Sequence, residues 1–190
     1  MHIIRVSGAS SPTIQCLLGF VALAVFMIVA PETIQAYTQT PAQRACLEGP
    51  LSTQGSKIVN TNEEECILTG VNWFGFETQS HVVHGLWTRG YDDMLEQIAA
   101  LGFNLIRMPF SIEAIESEEI TNLDFSVGRN GDLRGSTPLE AMELIVDAAA
   151  ERGILVLLDL HSLKDDNRFY GLWYDDTYPE AIFSQTWKER

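Results

Sequence analysis

Two stretches of the chain carry the same device: Ala100-Leu101-Gly102-Phe103 and Glu151-Arg152-Gly153-Ile154. In each, a helical run ends, a glycine suited to a left-handed helix cap follows, and an apolar run begins. Upstream of the first, Tyr91, Met94, Leu95, Ile98 and Leu101 recur at helical spacing, with Asp92 and Asp93 in the opening turn, where negative charge complements the free N–H groups. Upstream of the second, Thr137-Pro138-Leu139-Glu140 reads as a capping box with proline at the first helical position. That helix presents Leu139, Met142, Ile145, Val146 and Ala149 on one face. Apolar runs at residues 67–73, 103–110 and 154–160 read as strands, the third almost continuously aliphatic and therefore covered on both faces. Strand and helix alternate, which predicts a parallel sheet. A third helix begins near Pro179.

Two parallel architectures compete. A nucleotide-binding sheet needs a glycine-rich turn directly after a strand, and neither G-x-G-x-x-G nor G-x-x-x-x-G-K occurs in the sequence. Three strands with long apolar edges fit better as the first three β/α units of a (β/α)₈ barrel, a fold of roughly 250 residues against the 190 here. The expectation is therefore a partial barrel over residues 57–190, cut short. Residues 57–60, 61–65 and 66–68 read as a strand, a polar turn and a return strand, a small hairpin plugging one end of it. Residues 37–56, polar and interrupted by Pro41 and Pro50, read as an irregular lead-in.

The composition is that of a folded chain, 46% hydrophobic and 20% charged, which excludes intrinsic disorder. Twelve Lys and Arg against 26 Asp and Glu give a net charge of −14 without any basic cluster, so nucleic acid is not an expected partner. Residues 1–36 have the profile of a secretory signal: one Arg and no acid in residues 1–13, an almost wholly apolar run over 14–30, and Ala36 at a scissile position before Tyr37. The rival is an uncleaved anchor, since about 17 apolar residues is the lower limit for spanning a bilayer; after cleavage no stable membrane association is expected. Secretion changes how cysteine is read. Cys16 lies in the signal, which leaves Cys46 and Cys66 as a pair able to form a disulfide worth about 3 kcal/mol for a loop of roughly 20 residues. Two cysteines do not make a zinc site.

Barrel active sites form at the carboxyl ends of the strands. The first strand ends in Asn72 and Trp73, the second holds Arg107 within an apolar run, and the third ends in Asp159 and His161. An unpaired guanidinium inside a fold costs several kcal/mol, so Arg107 must meet an acid or line a wet cavity. A period of two puts Asp159 and His161 on one strand face.

These residues sit in recognisable surroundings. Leu68-Thr69-Gly70-Val71-Asn72-Trp73-Phe74-Gly75-Phe76-Glu77-Thr78, His84-Gly85-Leu86-Trp87 and Leu101-Gly102-Phe103-Asn104-Leu105-Ile106-Arg107-Met108-Pro109-Phe110-Ser111 together resemble glycoside hydrolase family 5, above all its secreted endo-β-1,4-glucanases. Residues 133–137, Leu158-Asp159-Leu160-His161 and Gly171-Leu172-Trp173-Tyr174 continue the likeness, which covers roughly residues 56–190. The resemblance implies a retaining glycosidase with two glutamates flanking the scissile bond, an acid/base in an Asn-Glu-Pro motif after strand four and a nucleophile after strand seven. Neither has a matching position here, so the chain is expected to be inactive alone. The resemblance carries over Arg107, which holds the nucleophile ionised, and His161, which lines the subsite of the reacting sugar. Trp73, His84, Trp87 and Trp173 are carried over as saccharide-binding residues. It implies no cofactor and a β-glucan polysaccharide or oligosaccharide as partner. The alternatives are a secreted non-catalytic saccharide-binding fragment and an incomplete gene product.

Each candidate has a plainer reading. Arg107 forms a structural ion pair with Asp159; His161 is a satisfied core histidine; one or two of Trp73, Trp87 and Trp173 simply pack. His81 and His84 with Glu77 lack the spacing and further ligands of a metal site. Glu113, Glu116, Glu118 and Glu119, with Asp165, Asp166, Asp175 and Asp176, read as solvated surface. Sequencing the N-terminus of the secreted product tests the signal: a mature chain beginning at Tyr37 is expected, and a membrane-bound product retaining Met1 contradicts cleavage.

Overall fold

The computed structural model describes residues 39–166, 168 and 171–188, so the signal expected over residues 1–36 lies outside them. Among the described residues no helix is long and apolar enough to cross a membrane.

The stretch expected to be irregular is not. Thr40 caps a short helix, α1 (Pro41–Ala45): its hydroxyl accepts from the Gln43 backbone N–H at 3.3 Å, and the Gln43 side chain accepts from the Thr40 N–H at 2.9 Å. This is the capping-box signature already legible at Thr137, concealed here in a polar segment. Strand β1 (Ser52–Gln54) follows, pairing with β2 (Lys57–Val59), which pairs with β3 (Glu65–Cys66). The hairpin expected at residues 57–68 is thus part of a three-stranded antiparallel sheet whose first strand lies in the supposed lead-in. A disulfide joins Cys46, at the end of α1, to Cys66 of β3, with Cα atoms 4.9 Å apart.

The second sheet is built from β4 (Gly70–Asn72), helix α2 (Tyr91–Ala100), β5 (Leu105–Ser111), the short helix α3 (Ile112–Glu116), helix α4 (Pro138–Ala150) and β6 (Leu155–Ser162), followed by α5 (Glu180–Lys188). Its strands run parallel in the order β4, β5, β6. Gly102 and Gly153 close α2 and α4 at φ +83° and +67°, the left-handed conformation that the repeated device requires. Ile106, Met108 and Phe110 of β5 are buried against Leu95 of α2 and Ile145 of α4. Val156, Leu158 and Leu160 of β6 pack onto the same cluster. The intervening residues, Arg107, Leu157, Asp159 and His161, point to the opposite face, where Leu157 is 51% exposed. Among the described residues these helices cover one face alone, as in a barrel wall; a doubly wound sheet carries helices on both.

The first parallel strand is shorter than residues 67–73 because its opening is bonded elsewhere. The Ile67 N–H donates to the Ala42 carbonyl at 3.1 Å. The Thr69 N–H donates to the Asn104 side chain at 2.7 Å. Asn104 is wholly buried, and its amide also donates to the carbonyls of Ile67 at 2.9 Å and Gln43 at 3.3 Å. Two glutamines complete the junction. Gln43 donates to the Gly102 carbonyl at 2.7 Å and Gln39 to the Gly153 carbonyl at 2.8 Å, so residues four apart bind the same atom of the two repeated caps.

On the far side of α2, the fully buried Asn130 accepts from the Tyr91 N–H at 3.0 Å and donates to the carbonyls of Leu86, Arg89 and Asp124. Burial, reinforced by the hydrogen bond to Asp132, pushes the Tyr91 hydroxyl from 10.0 up to about 12. Burial does the same for Tyr178.

Two outcomes follow from these contacts. Asn104→Ala removes the buried amide that holds the part-buried Thr69 N–H and Ile67 carbonyl, with an expected loss of about 2 kcal/mol in urea unfolding. A raised tyrosine pKa means the unfolded chain releases its proton first, so stability holds below pH 10 and falls between 10 and about 12. Tyr91→Phe removes one of the two contributions, and its alkaline loss of stability should be correspondingly shallower.

Candidate active-site cleft

Parallel register decides which polar groups meet. Asn72 of β4 lies opposite Arg107 of β5, and Arg107 opposite Leu157 of β6, so Asp159 stands two residues further toward the carboxyl ends. The Arg107 guanidinium crosses that offset: Nη2 pairs with Asp159 Oδ2 and approaches His161 Nδ1 at 3.2 Å, while Nη1 reaches Asn72 Oδ1 at 3.4 Å. His161 Nδ1 lies 3.1 Å from the same Asp159 oxygen. Both expectations for Arg107 hold together. It has its acid, and its side chain, 35% exposed, is also open to solvent.

His161 sits between a donor and an acceptor. When Nδ1 accepts from Arg107, the ring proton lies on Nε2; when Nδ1 donates to Asp159, Nε2 is an acceptor. The free nitrogen can therefore meet a hydroxyl in either sense, which suits a sugar.

The loop after β4 builds the adjoining wall. The Gly75 N–H donates to Glu77 Oε2 at 2.7 Å, and the His84 N–H to the Phe74 carbonyl at 2.8 Å. Gly75 has φ +144°, and a Cβ there would stand 2.2 Å from the Val82 carbonyl oxygen, so only glycine fits. The fold-back packs Phe74 against His84, ring centres 4.2 Å apart and planes tilted by 54°, with Trp87 edge-on to His84 at 5.3 Å. Phe74 and Trp87 are 48% and 45% exposed. A cleft of about 580 Å³ runs between this wall and His161, lined by Phe74, Glu77, Thr78, His84, Asp165 and Asp166 among others. On the other side of His161 a second hollow, about 290 Å³, is lined by Leu163, Leu172, Trp173 and Phe183.

Of the residues singled out in the sequence, Arg107 and His161 come together, His84 lines the larger cleft, Trp87 braces His84, and Trp173 lines the smaller hollow. Trp73 does not face solvent. It is 5% exposed, its indole N–H donates to the His84 carbonyl at 2.9 Å, and its ring belongs to the core. Burial leaves no open ring face, so it supports the loop and is no sugar platform here. Phe74, passed over in the sequence, holds the open aromatic surface; the adjacent Trp73-Phe74 pair was the signal, since neighbours on an extended segment point opposite ways.

Several acids read as solvated surface organise loops instead. Asp165 pairs with His81 at 2.9 Å. Glu113 accepts from the Asp165 N–H at 2.9 Å. Asp175 accepts from the N–H groups of Tyr178 and Thr177, and these bonds, together with Lys164, hold its carboxyl below the usual carboxylate range.

Comparison with known proteins agrees with this geometry. Residues 59–189 match the family model described as cellulase, glycosyl hydrolase family 5. An endoglucanase of Paenibacillus polymyxa is 38% identical over 157 residues, covering 82% of this chain and 39% of that protein. The major extracellular endoglucanase of Xanthomonas campestris pv. campestris is 41% identical over 126 residues, 66% of this chain and 25% of that one. A cellotetraose complex of the Pyrococcus horikoshii endocellulase superposes with a TM-score of 0.66 at 42% identity, covering 80% of this chain and 40% of that one. The chain thus spans two fifths or less of the length of these relatives. With three β/α units carrying this motif set, the chain belongs to glycosyl hydrolase family 5, the cellulase family, and its parallel sheet is part of a (β/α)₈ barrel.

Proposed function

We propose that this chain forms part of the glucan-binding cleft of a retaining endo-β-1,4-glucanase and that it does not cleave glucan by itself. The observation that carries this reading is the Arg107–Asp159–His161 cluster at the carboxyl ends of two parallel strands, beside an aromatic-walled cleft. A nucleophilic carboxylate must remain ionised close to a protonated partner, and a guanidinium whose own acid is already in place can lower the pKa of a second carboxylate that approaches it. Asp159 orients that guanidinium. His161, with one nitrogen engaged by the cluster, offers the other to a sugar hydroxyl. Phe74 and His84, the latter braced by Trp87, on one side and Trp173 on the other supply the flat surfaces that pyranose C–H faces require.

The two glutamates of double displacement have no matching position within the residues that carry the family motifs, so in this reading the chain binds without turnover. Two observations support an extracellular setting: the disulfide between Cys46 and Cys66, and the extracellular endoglucanase among the relatives. The cleft's acidic surroundings do not oppose a neutral polysaccharide.

Incubating the full chain with carboxymethyl cellulose and measuring reducing ends, alongside calorimetric titration with cellotetraose, tests both halves. No turnover is expected, with binding that weakens about fivefold in Phe74→Ala, the loss of one aromatic contact worth about 1 kcal/mol. Sustained release of reducing ends contradicts the assignment of the glutamates; absence of binding contradicts the cleft.

A further inference from the structure

The three loops at the carboxyl ends of β4, β5 and β6 are bonded to one another in a closed triangle. The loop after β4 meets the loop after β5 where the Thr121 N–H donates to the Ser80 carbonyl at 2.9 Å and the Thr121 hydroxyl to the Gln79 carbonyl at 2.9 Å. The segment after β5 meets the loop after β6 through Glu113, whose N–H donates to the Leu163 carbonyl at 3.1 Å and whose carboxylate accepts from the Asp165 N–H at 2.9 Å. The third side joins the loop after β6 back to the loop after β4: His81 Nε2 lies 2.9 Å from Asp165 Oδ2, across 84 residues of chain.

The third side differs in kind from the other two. It is an ion pair when His81 is protonated, its side chains are only 13% and 19% exposed, and His81 reaches it from a left-handed backbone at φ +49°. Histidine adopts that conformation more readily than most residues, but still at a cost that the surroundings must offset. The side chain repays it by fixing Asp165, which lines the glucan cleft together with His161 four residues earlier on the same segment.

We propose that His81 is a positioning residue: through Asp165 it clasps the segment 161–166 to the wall carrying Phe74 and His84, and so holds the cleft open at the width a glucan chain needs. His81 touches no sugar in this reading; it acts through Asp165. The saccharide part rests on the glucan-binding function proposed above, whereas the clasp itself is a property of the ligand-free chain.

Two measurements on the full chain separate these parts. In His81→Asn the shorter side chain tolerates the left-handed backbone yet falls short of Asp165; in His81→Gln an amide donor is restored near the Nε2 position. Amide hydrogen exchange of the free protein over residues 161–166 should quicken about tenfold in His81→Asn, the size of effect expected from losing one half-buried charged hydrogen bond, and return toward wild type in His81→Gln. Exchange in β5 should stay unchanged, which a general loss of stability would not allow. Cellotetraose affinity should fall at least threefold in His81→Asn and recover in His81→Gln. Asp165→Ala, which leaves the His81 backbone untouched, should reproduce the His81→Asn pattern and serves in its place if that variant does not fold.

Unchanged exchange over 161–166 in both breaking variants overturns the clasp. Faster exchange with undiminished affinity overturns its role in shaping the cleft. If the wild-type chain binds no cellotetraose, the glucan reading fails, and the exchange result still decides the clasp.

Discussion

An arginine within a parallel sheet needs a carboxylate, and the direction in which it finds one orients everything around it. Arg107 could not satisfy its charge on the helix-covered face, where Ile106, Met108 and Phe110 are sealed against α2 and α4. On the open face the parallel register offers Asp159, two residues nearer the carboxyl end of β6 than the residue directly opposite. The pair thereby lies at the loop end of the sheet, and His161, on the same strand face, is drawn into it. A charged cluster half open to solvent costs less desolvation than a buried one and keeps its hydrogen-bonding capacity for an incoming group. The structural ion pair and the cluster proposed to serve the cleft are the same atoms.

That arrangement depends on the opposite end of the sheet being fixed. Asn104 ties β5 to the segment entering β4 and to α1, while Gln39 and Gln43 hold the two glycine caps at which the second and third strands begin. The disulfide anchors α1 to its own small sheet. A one-residue slip in either strand would move Arg107 or Asp159 to the helix-covered face, where neither could be solvated. The polar amides at the floor therefore protect the register that the charged cluster at the rim exploits.

Much of this was legible in the sequence, and the parts that were not share a cause. The repeated glycine device, the capping box at Thr137 and the two amphipathic helices are local patterns, and the structure has all of them. The face shared by Asp159 and His161 followed from the period of a strand. What escaped were features whose meaning is set by distant partners. Thr40-Pro41-Ala42-Gln43 is a capping box on a five-residue helix too short to show an amphipathic period. Asp165 reads as surface charge until His81 arrives from 84 residues away. Trp73 and Phe74 are adjacent aromatics, and only the fold-back at Gly75, bonding the His84 N–H to Phe74, settles which of the two is buried.

The most direct test is a crystal structure of the full chain soaked with cellotetraose. A sugar ring should lie in the cleft between His161 and the Phe74–His84 wall, with a hydroxyl within hydrogen-bond reach of His161 Nε2 and the Arg107–Asp159 pair undisturbed. Saccharide bound elsewhere on the chain, with that cleft still filled by water, would contradict the assignment of this face as the glucan-binding surface.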